Sequence, residues 1–356
     1  MAEPSPPSLE PGARRSDVAP APASHRGERA PQAGTATPGF TLLVSLSALL
    51  VFIVVVLSAY LRLANAGLGC ADWPQCFGQL GAADNLSLAE GGPLLPASAG
   101  RAFHRIAASL LAFFVFAITF LAFARRKRGG PGVWLPLLVL ALTVFLSVLG
   151  IITPSPLLPA VTVGNVLGGM AMLALLWWMG ERGRSVATGA GAGARLKPWA
   201  RLGLVLVVLQ IALGAWSSGS FAGPSCPSLA GCDREWLSAE NFARGFVPDR
   251  KLGLDAQGRV APDAAAPTVH MTHRLGALVA VAYLAWLGLR ARASGAPYRA
   301  TGNALLILLA AQAALGLGAV AAGLPLALAT AHNAGAALLL VSVVHLNHLV
   351  TPRGSA

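Results

Sequence analysis

The sequence predicts an all-α polytopic membrane protein, with eight transmembrane helices arranged as two tandem four-helix bundles related by internal duplication. Three observations lead there. Of 356 residues, 55% are apolar and only 11% charged, against about 25% charged in an ordinary soluble domain; a water-soluble enzyme, a coiled coil and a disordered scaffold are therefore excluded. Eight apolar runs are long enough to cross a bilayer, which takes ~20 residues. Three sets of landmark residues recur in the same order in the second half of the chain.

Residues 1–39 hold eight Pro, four Arg and four acids with almost no aliphatic run, and are expected to form a disordered cytoplasmic tail. Phe40 to about Leu63 is too long for a signal-peptide core and reads as the first span. Further spans are expected near 102–124, 133–152, 158–180, 200–217, 270–290, 301–322 and 329–350. These divide into an N-terminal half, 40–180, and a C-terminal half, 200–350. An even number of spans puts both ends on one side. With that side inside, seventeen of the 26 Lys and Arg residues fall in inner segments and nine in outer ones. The net charge of +12 is thus a topological signal, and no nucleic-acid partner is implied. The expected location is a bacterial inner membrane, multi-pass in its lipid, with both termini cytoplasmic. Two long loops, about 64–101 and 218–269, fall outside.

The repeat is legible residue by residue. Cys70 and Cys76 follow the first span; Cys226 and Cys232 follow the fifth, each pair enclosing five residues. His104-Arg105 opens the second span and His273-Arg274 the sixth. Asn165 in the fourth span aligns with His332 in the eighth. Each half therefore reads as one four-helix unit.

Ionisable side chains inside a span usually carry function. His273 and His332 both lie a few residues into helices that start at the outer face, so they share a depth. Two imidazoles facing each other in an apolar bundle suit axial ligation of a haem iron, with Gly276 and Gly335 letting the flat ring approach the helices. The plain alternative is a pair of interhelical hydrogen bonds. Arg105 and Arg274 suit haem propionates, or else lie at the interface. The two cysteine pairs read as local disulfides in an oxidising compartment, with thiol redox the alternative, particularly for Cys70 and Cys76. His270 is second to the site or interfacial. His345 and His348, ~20 Å deeper than His332 by helical rise, read as bystanders, and His25 lies in the tail.

Together GLGCADWPQC, the two HR motifs and AHNAGAALLL resemble the haem A synthase family over nearly all of residues 40–350. The resemblance implies a b-type haem cofactor in the C-terminal half, held by His273 and His332. It implies haem O as substrate in the N-terminal half, held by His104 with Arg105 and Asn165 nearby, and oxidation of its methyl group to the formyl of haem A for terminal oxidase assembly. His104 is the catalytic-half ligand. A haem O synthase and an unidentified electron donor are the implied partners. Two positions depart from the family pattern: Asn165 replaces a histidine, and Arg101 stands where a glutamate is usual. A non-catalytic haem-b-binding protein, as electron carrier or assembly factor, and a transporter remain the competing readings.

Overall fold

The computed structural model describes residues 1–2, 37–67, 77–79, 97–128, 132–152, 157–182, 190–229, 232 and 236–351. Residues 3–36 of the expected tail, and Cys70 with Cys76, lie outside the described residues. Contacts divide the chain into Met1–Gln32 and Ala33–Ala356; every helix belongs to the second unit.

Pro38 fixes the backbone for a first helical turn, and α1 (Pro38–Asn65) carries in its last turn Arg62, whose cation complements the carbonyl end of the helix. It is followed by α2 (Ala97–Arg125), α3 (Trp134–Ile152), α4 (Pro159–Arg182), α5 (Ala190–Gly219), the short α6 (Ala239–Gly245), α7 (Ala266–Ala293), α8 (Tyr298–Ala321) and α9 (Leu326–Leu349). All but α6 are long and apolar enough to span a membrane. In each of those eight a third or less of the apolar window is buried by protein. Side chains such as Phe113, Phe116 and Phe120 on α2, Leu278 on α7 and Ile307 on α8 point outward. Only a bilayer solvates such a surface, so the chain is a multi-pass membrane protein.

Helix adjacency repeats between the halves. In the first, α1 packs on α2 and α4, and α3 on α2 and α4; in the second, α5 packs on α7 and α9, and α8 on α7 and α9. The two rings meet where α4 packs on α5 and α9, and α1 on α9. Their core is continuous, running from Val44, Val51, Val115 and Leu176 into Val207, Leu284, Leu305 and Leu346. The outer loops also touch: Val260 N–H donates to Gly78 O at 3.0 Å, and Gln79 pairs with Arg259 as an isolated antiparallel bridge.

Two boundaries differ from the apolar runs. α5 starts ten residues before its apolar run, because its first turns pack on protein. A Cβ at Gly193 would lie 2.7 Å from the Tyr298 hydroxyl, so this polar extension fits against the start of α8. α2 likewise begins at Ala97 and already includes Arg101 in its second turn. α6 is too short for a hydropathy signal; Ser238 caps it by accepting from Asn241 N–H at 3.4 Å.

A close backbone approach joins α7 and α8. A Cβ at Gly302 would lie 2.6 Å from both the Gly288 carbonyl and the Arg292 amide nitrogen, backbone atoms that cannot yield. Gly302→Ala is expected to destabilise the protein by ~1–3 kcal/mol, the range for overpacking. Gly150→Ala, whose new methyl meets nothing within 4 Å, should leave the thermal midpoint in detergent unchanged or higher. Equal midpoints for both variants would refute this crossing.

Candidate functional site

The site grows from the C-terminal ends of α5 and α8 and the N-terminal ends of α7 and α9. Pro267 in the first turn of α7 is followed by His270, His273 and Arg274, so three polar side chains occupy adjacent turns. His332 sits in the second turn of α9. Each imidazole is met by a glutamine from a neighbouring helix. Gln210 of α5 places its amide nitrogen 2.9 Å from His273 Nδ1 and donates to the His273 carbonyl at 3.0 Å. Gln312 of α8 places its amide nitrogen 3.3 Å from His332 Nε2.

Glycines make room for both rings. A Cβ at Gly214 would stand 3.0 Å from His273 Cε1, and one at Gly316 would stand 2.9 Å from His332 Cε1. The glycines singled out in the sequence, Gly276 and Gly335, face elsewhere. A Cβ at Gly276 would fall 2.5 Å from Gln210 Oε1, and one at Gly335 would collide with Gln312 Oε1. Their small size seats the glutamines and does not admit a ligand to the helix backbone. Spacing along one helix could not show this, because the neighbour that fills the gap comes from another helix.

Both histidines line one cavity of about 600 Å³, within the range of small-molecule and cofactor sites. Its walls are largely apolar, with Ile211, Leu284, Leu309 and Met170 among them, and its polar groups converge at the outer end. One of them was invisible to the sequence reading: Arg62, at the end of α1, lines this C-terminal cavity and donates to the Ser218 hydroxyl of α5. Among the described residues no carboxylate forms an ion pair with Arg62. A cation in an apolar wall without a counter-ion favours an anionic ligand.

Arg274 also lines the cavity, but its guanidinium is engaged. It donates to the carbonyls of Cys226 and Ser228, each at 2.7 Å, and through Nε to His270 Nε2 at 3.2 Å. His270 Nε2 therefore accepts, and its Nδ1–H donates to the Ala222 carbonyl at 3.0 Å. Arg274 and His270 together tie α7 to the loop closed by the Cys226–Cys232 disulfide. The expected first disulfide, Cys70 to Cys76, lies outside the described residues.

The remaining sequence candidates lie apart from this cavity. His104 on α2 and Asn165 on α4 are half-buried and Arg105 is exposed; none of the three lines it. Arg101 is exposed on α2. At the opposite end of α9, His345 stands 3.5 Å from Glu181 of α4 and edge-on to Trp177, as His348 does to Trp178. Glu181 is only 3% exposed, so these histidines belong to an interhelical polar cluster. The glutamines did have a sequence signal: Gln210 and Gln312 open QIALG and QAALG, a repeat that gains meaning only once each motif is seen facing a histidine.

Eight membrane-spanning helices and an apolar cavity lined by His273, His332, Arg62 and Arg274 define a polytopic membrane protein suited to holding an apolar, anionic ligand between nitrogen donors. The chain belongs to the COX15-CtaA family of cytochrome oxidase assembly proteins, which it matches over residues 41–90 and 102–344. It is 31% identical over 327 residues to a Shewanella oneidensis protein named Heme A synthase, covering 89% of this chain and 98% of that protein.

The tie between α7 and the disulfide loop is testable. Lysine cannot reproduce the fork of Arg274, and losing charged hydrogen bonds of ~1.5–3 kcal/mol each should open the loop. Arg274→Lys is expected to speed reduction of Cys226–Cys232 by roughly ten- to a hundred-fold, read by thiol alkylation after mild reductant. An unchanged rate would mean that Arg274 does not hold the loop.

Proposed function

We propose that this protein is a haem A synthase, oxidising a methyl group of haem O to the formyl group of haem A by successive hydroxylation, for assembly of a terminal oxidase. The reading is carried by the two histidines, His273 and His332, lining one apolar cavity in a chain that matches a relative of that name over nearly its whole length. The residues fit a haem b there. Two imidazole donors stand on different helices of one cavity, glycines leave space at both rings, and His332 Nδ1 is buried without a hydrogen-bond partner among the described residues. When bound, the haem supplies one-electron redox chemistry.

In this reading His273 and His332 would hold the haem iron through their ring nitrogens, and the leucine and isoleucine walls would keep water from the ring. Arg62 holds a propionate carboxylate, with Ser218 fixing the guanidinium; Arg274 holds the loop over the outer end. The substrate haem O lies in the N-terminal half, 40–180, against His104, with Arg105 and Asn165 nearby. Asn165 is a weak iron ligand, so the substrate carries one fixed protein ligand and can leave as product. The cofactor half spans 200–350. The skew of Lys and Arg and the bacterial relative support an inner-membrane location with cytoplasmic termini. A haem O synthase delivers the substrate; in each hydroxylation dioxygen is the oxidant, one oxygen atom entering the C–H bond and the other leaving as water with two electrons from a separate donor and two protons.

Co-expression with a haem O synthase in a host lacking haem A, followed by haem extraction, tests the activity. The unmodified chain is expected to give haem A. His104→Ala should stop haem A formation while keeping a low-spin b-type spectrum; His273→Ala or His332→Ala should abolish that spectrum, and His345→Ala should not. A chain with intact low-spin haem and no haem A would establish the non-catalytic reading, in keeping with Asn165 and Arg101.

The propionate assignment has its own test. Arg62→Gln removes a charge-assisted hydrogen bond of ~1.5–3 kcal/mol, so haem should dissociate about tenfold faster or more from the purified protein, and Ser218→Ala should have a smaller effect. An unchanged off-rate for Arg62→Gln would place the carboxylate elsewhere.

A further inference from the structure

The two halves share their helix adjacency but differ in what backs the ligand positions. In α9, Gly335 follows His332 by three residues, and Gln312 of α8 fills the space a side chain there would take. In α4, Gly168 follows Asn165 by three residues, and a Cβ there would meet Leu146 Cδ2 of α3 at 2.5 Å. Leu146 is thus the spatial counterpart of Gln312. Gln210 lies sixteen residues before Cys226; the residue sixteen before Cys70 is Val54. The distal histidine and both glutamines of the C-terminal half are therefore replaced together, by Asn165, Leu146 and Val54.

A buried glutamine beside an imidazole does one thing that leucine and valine cannot. An imidazole that binds a metal through one nitrogen carries its proton on the other, and the partner of that N–H fixes ring orientation and donor strength. The partner is often a carboxylate, which brings a buried charge. An amide accepts the same hydrogen bond without charge. Gln210 and Gln312 each touch one ring nitrogen of their histidine, and the Oε1 atoms of both are buried with no hydrogen-bond partner among the described residues. A half-turn of the Gln312 amide exchanges donor for acceptor at the ring; the same turn of Gln210 also gives up its hydrogen bond to the His273 carbonyl.

From these observations, and resting on the haem b reading above, we infer that Gln210 and Gln312 are positioning residues. Each holds its histidine by one ring nitrogen, leaves the other without a hydrogen bond among the described residues, and accepts the ring N–H when that other nitrogen binds iron. The C-terminal half thereby keeps a permanently oriented axial pair. The N-terminal half, with Val54 and Leu146 in those places, leaves its ligand without such a hold, as a substrate that enters and leaves requires.

The test uses the full-length protein purified with its haem, measuring the low-spin spectrum and the midpoint potential. Glutamate at either position is a stronger acceptor, gives the imidazole more anionic character and stabilises ferric iron. Gln210→Glu and Gln312→Glu are therefore expected to lower the potential while keeping the low-spin spectrum. Gln210→Leu and Gln312→Leu remove the acceptor and are expected to raise it. A packing role alone would not set Glu and Leu on opposite sides of the unmodified protein. If a Leu variant loses its haem, the near-isosteric Glu variant still decides by its downward shift. Potentials that stay unchanged, or that move in one direction for both substitutions, overturn the inference while leaving the haem reading intact. Absence of a low-spin haem in the unmodified protein overturns both.

Discussion

A bilayer core offers no hydrogen-bonding partner, so each polar side chain within the spans is satisfied by another part of the protein or left unmet. That constraint organises this molecule more than any single hydrophobic contact. His273 and His332 are each met by a glutamine from the next helix. Arg62 reaches from α1 to Ser218 on α5, and Asn347 of α9 donates to the Ala200 carbonyl of α5 at 2.8 Å. Glu181 and His345 face each other between α4 and α9. Each of these links joins different helices, and two of them, Arg62 to Ser218 and Glu181 to His345, cross between the halves. Apolar packing supplies the bulk of the contact in the core, but lipid tails compete with it on nearly equal terms; the polar links cannot be exchanged for lipid and so fix which helix faces which.

The same constraint gives the two ends of the bundle different characters. At the end where α5 and α7 meet the disulfide loop the polar groups open onto a cavity, and the segments between those helices are held by the Arg274 fork, the Cys226–Cys232 disulfide and the hydrogen bond from Trp216 to the Gly245 carbonyl at 2.8 Å. At the opposite end the indoles of Trp177 and Trp178 pack edge-on against His345 and His348. Histidines on one helix thus have distinct surroundings: His332 borders a cavity, while His345 and His348 are held by aromatic and acidic neighbours.

Placing Arg62 in the C-terminal cavity joins the halves chemically as well as mechanically. It belongs to the first four-helix ring by sequence, yet its guanidinium borders the space enclosed by the second. Its partner Ser218 lies at the position related to Arg62 by the spacing of the cysteine pairs, so the two residues meet where the rings come together. An arrangement of similar rings has become asymmetric at that contact: one side contributes a cation, the other a hydroxyl.

The sequence alone determined the class, the number of spans and the pairs of landmark residues, because hydropathy and spacing along one chain carry that information directly. Eight apolar runs became eight long helices, and His273 and His332 were placed at one depth by counting residues from the outer ends of their helices. Helix ends that pack on protein were not legible: α5 begins at Ala190 because Gly193 fits beside Tyr298, over a hundred residues away. Nor were the partners. A glutamine in an apolar run, an arginine at a helix end and a glycine after a histidine are each compatible with several roles in one dimension. Only the tertiary structure decided that Gln210 and Gln312 grip the imidazoles, that Gly276 and Gly335 seat those glutamines, and that Arg62 faces the cavity of the other half. The physical reason is that a hydrogen bond or a void between helices belongs to two segments at once, and neither segment's sequence records the other.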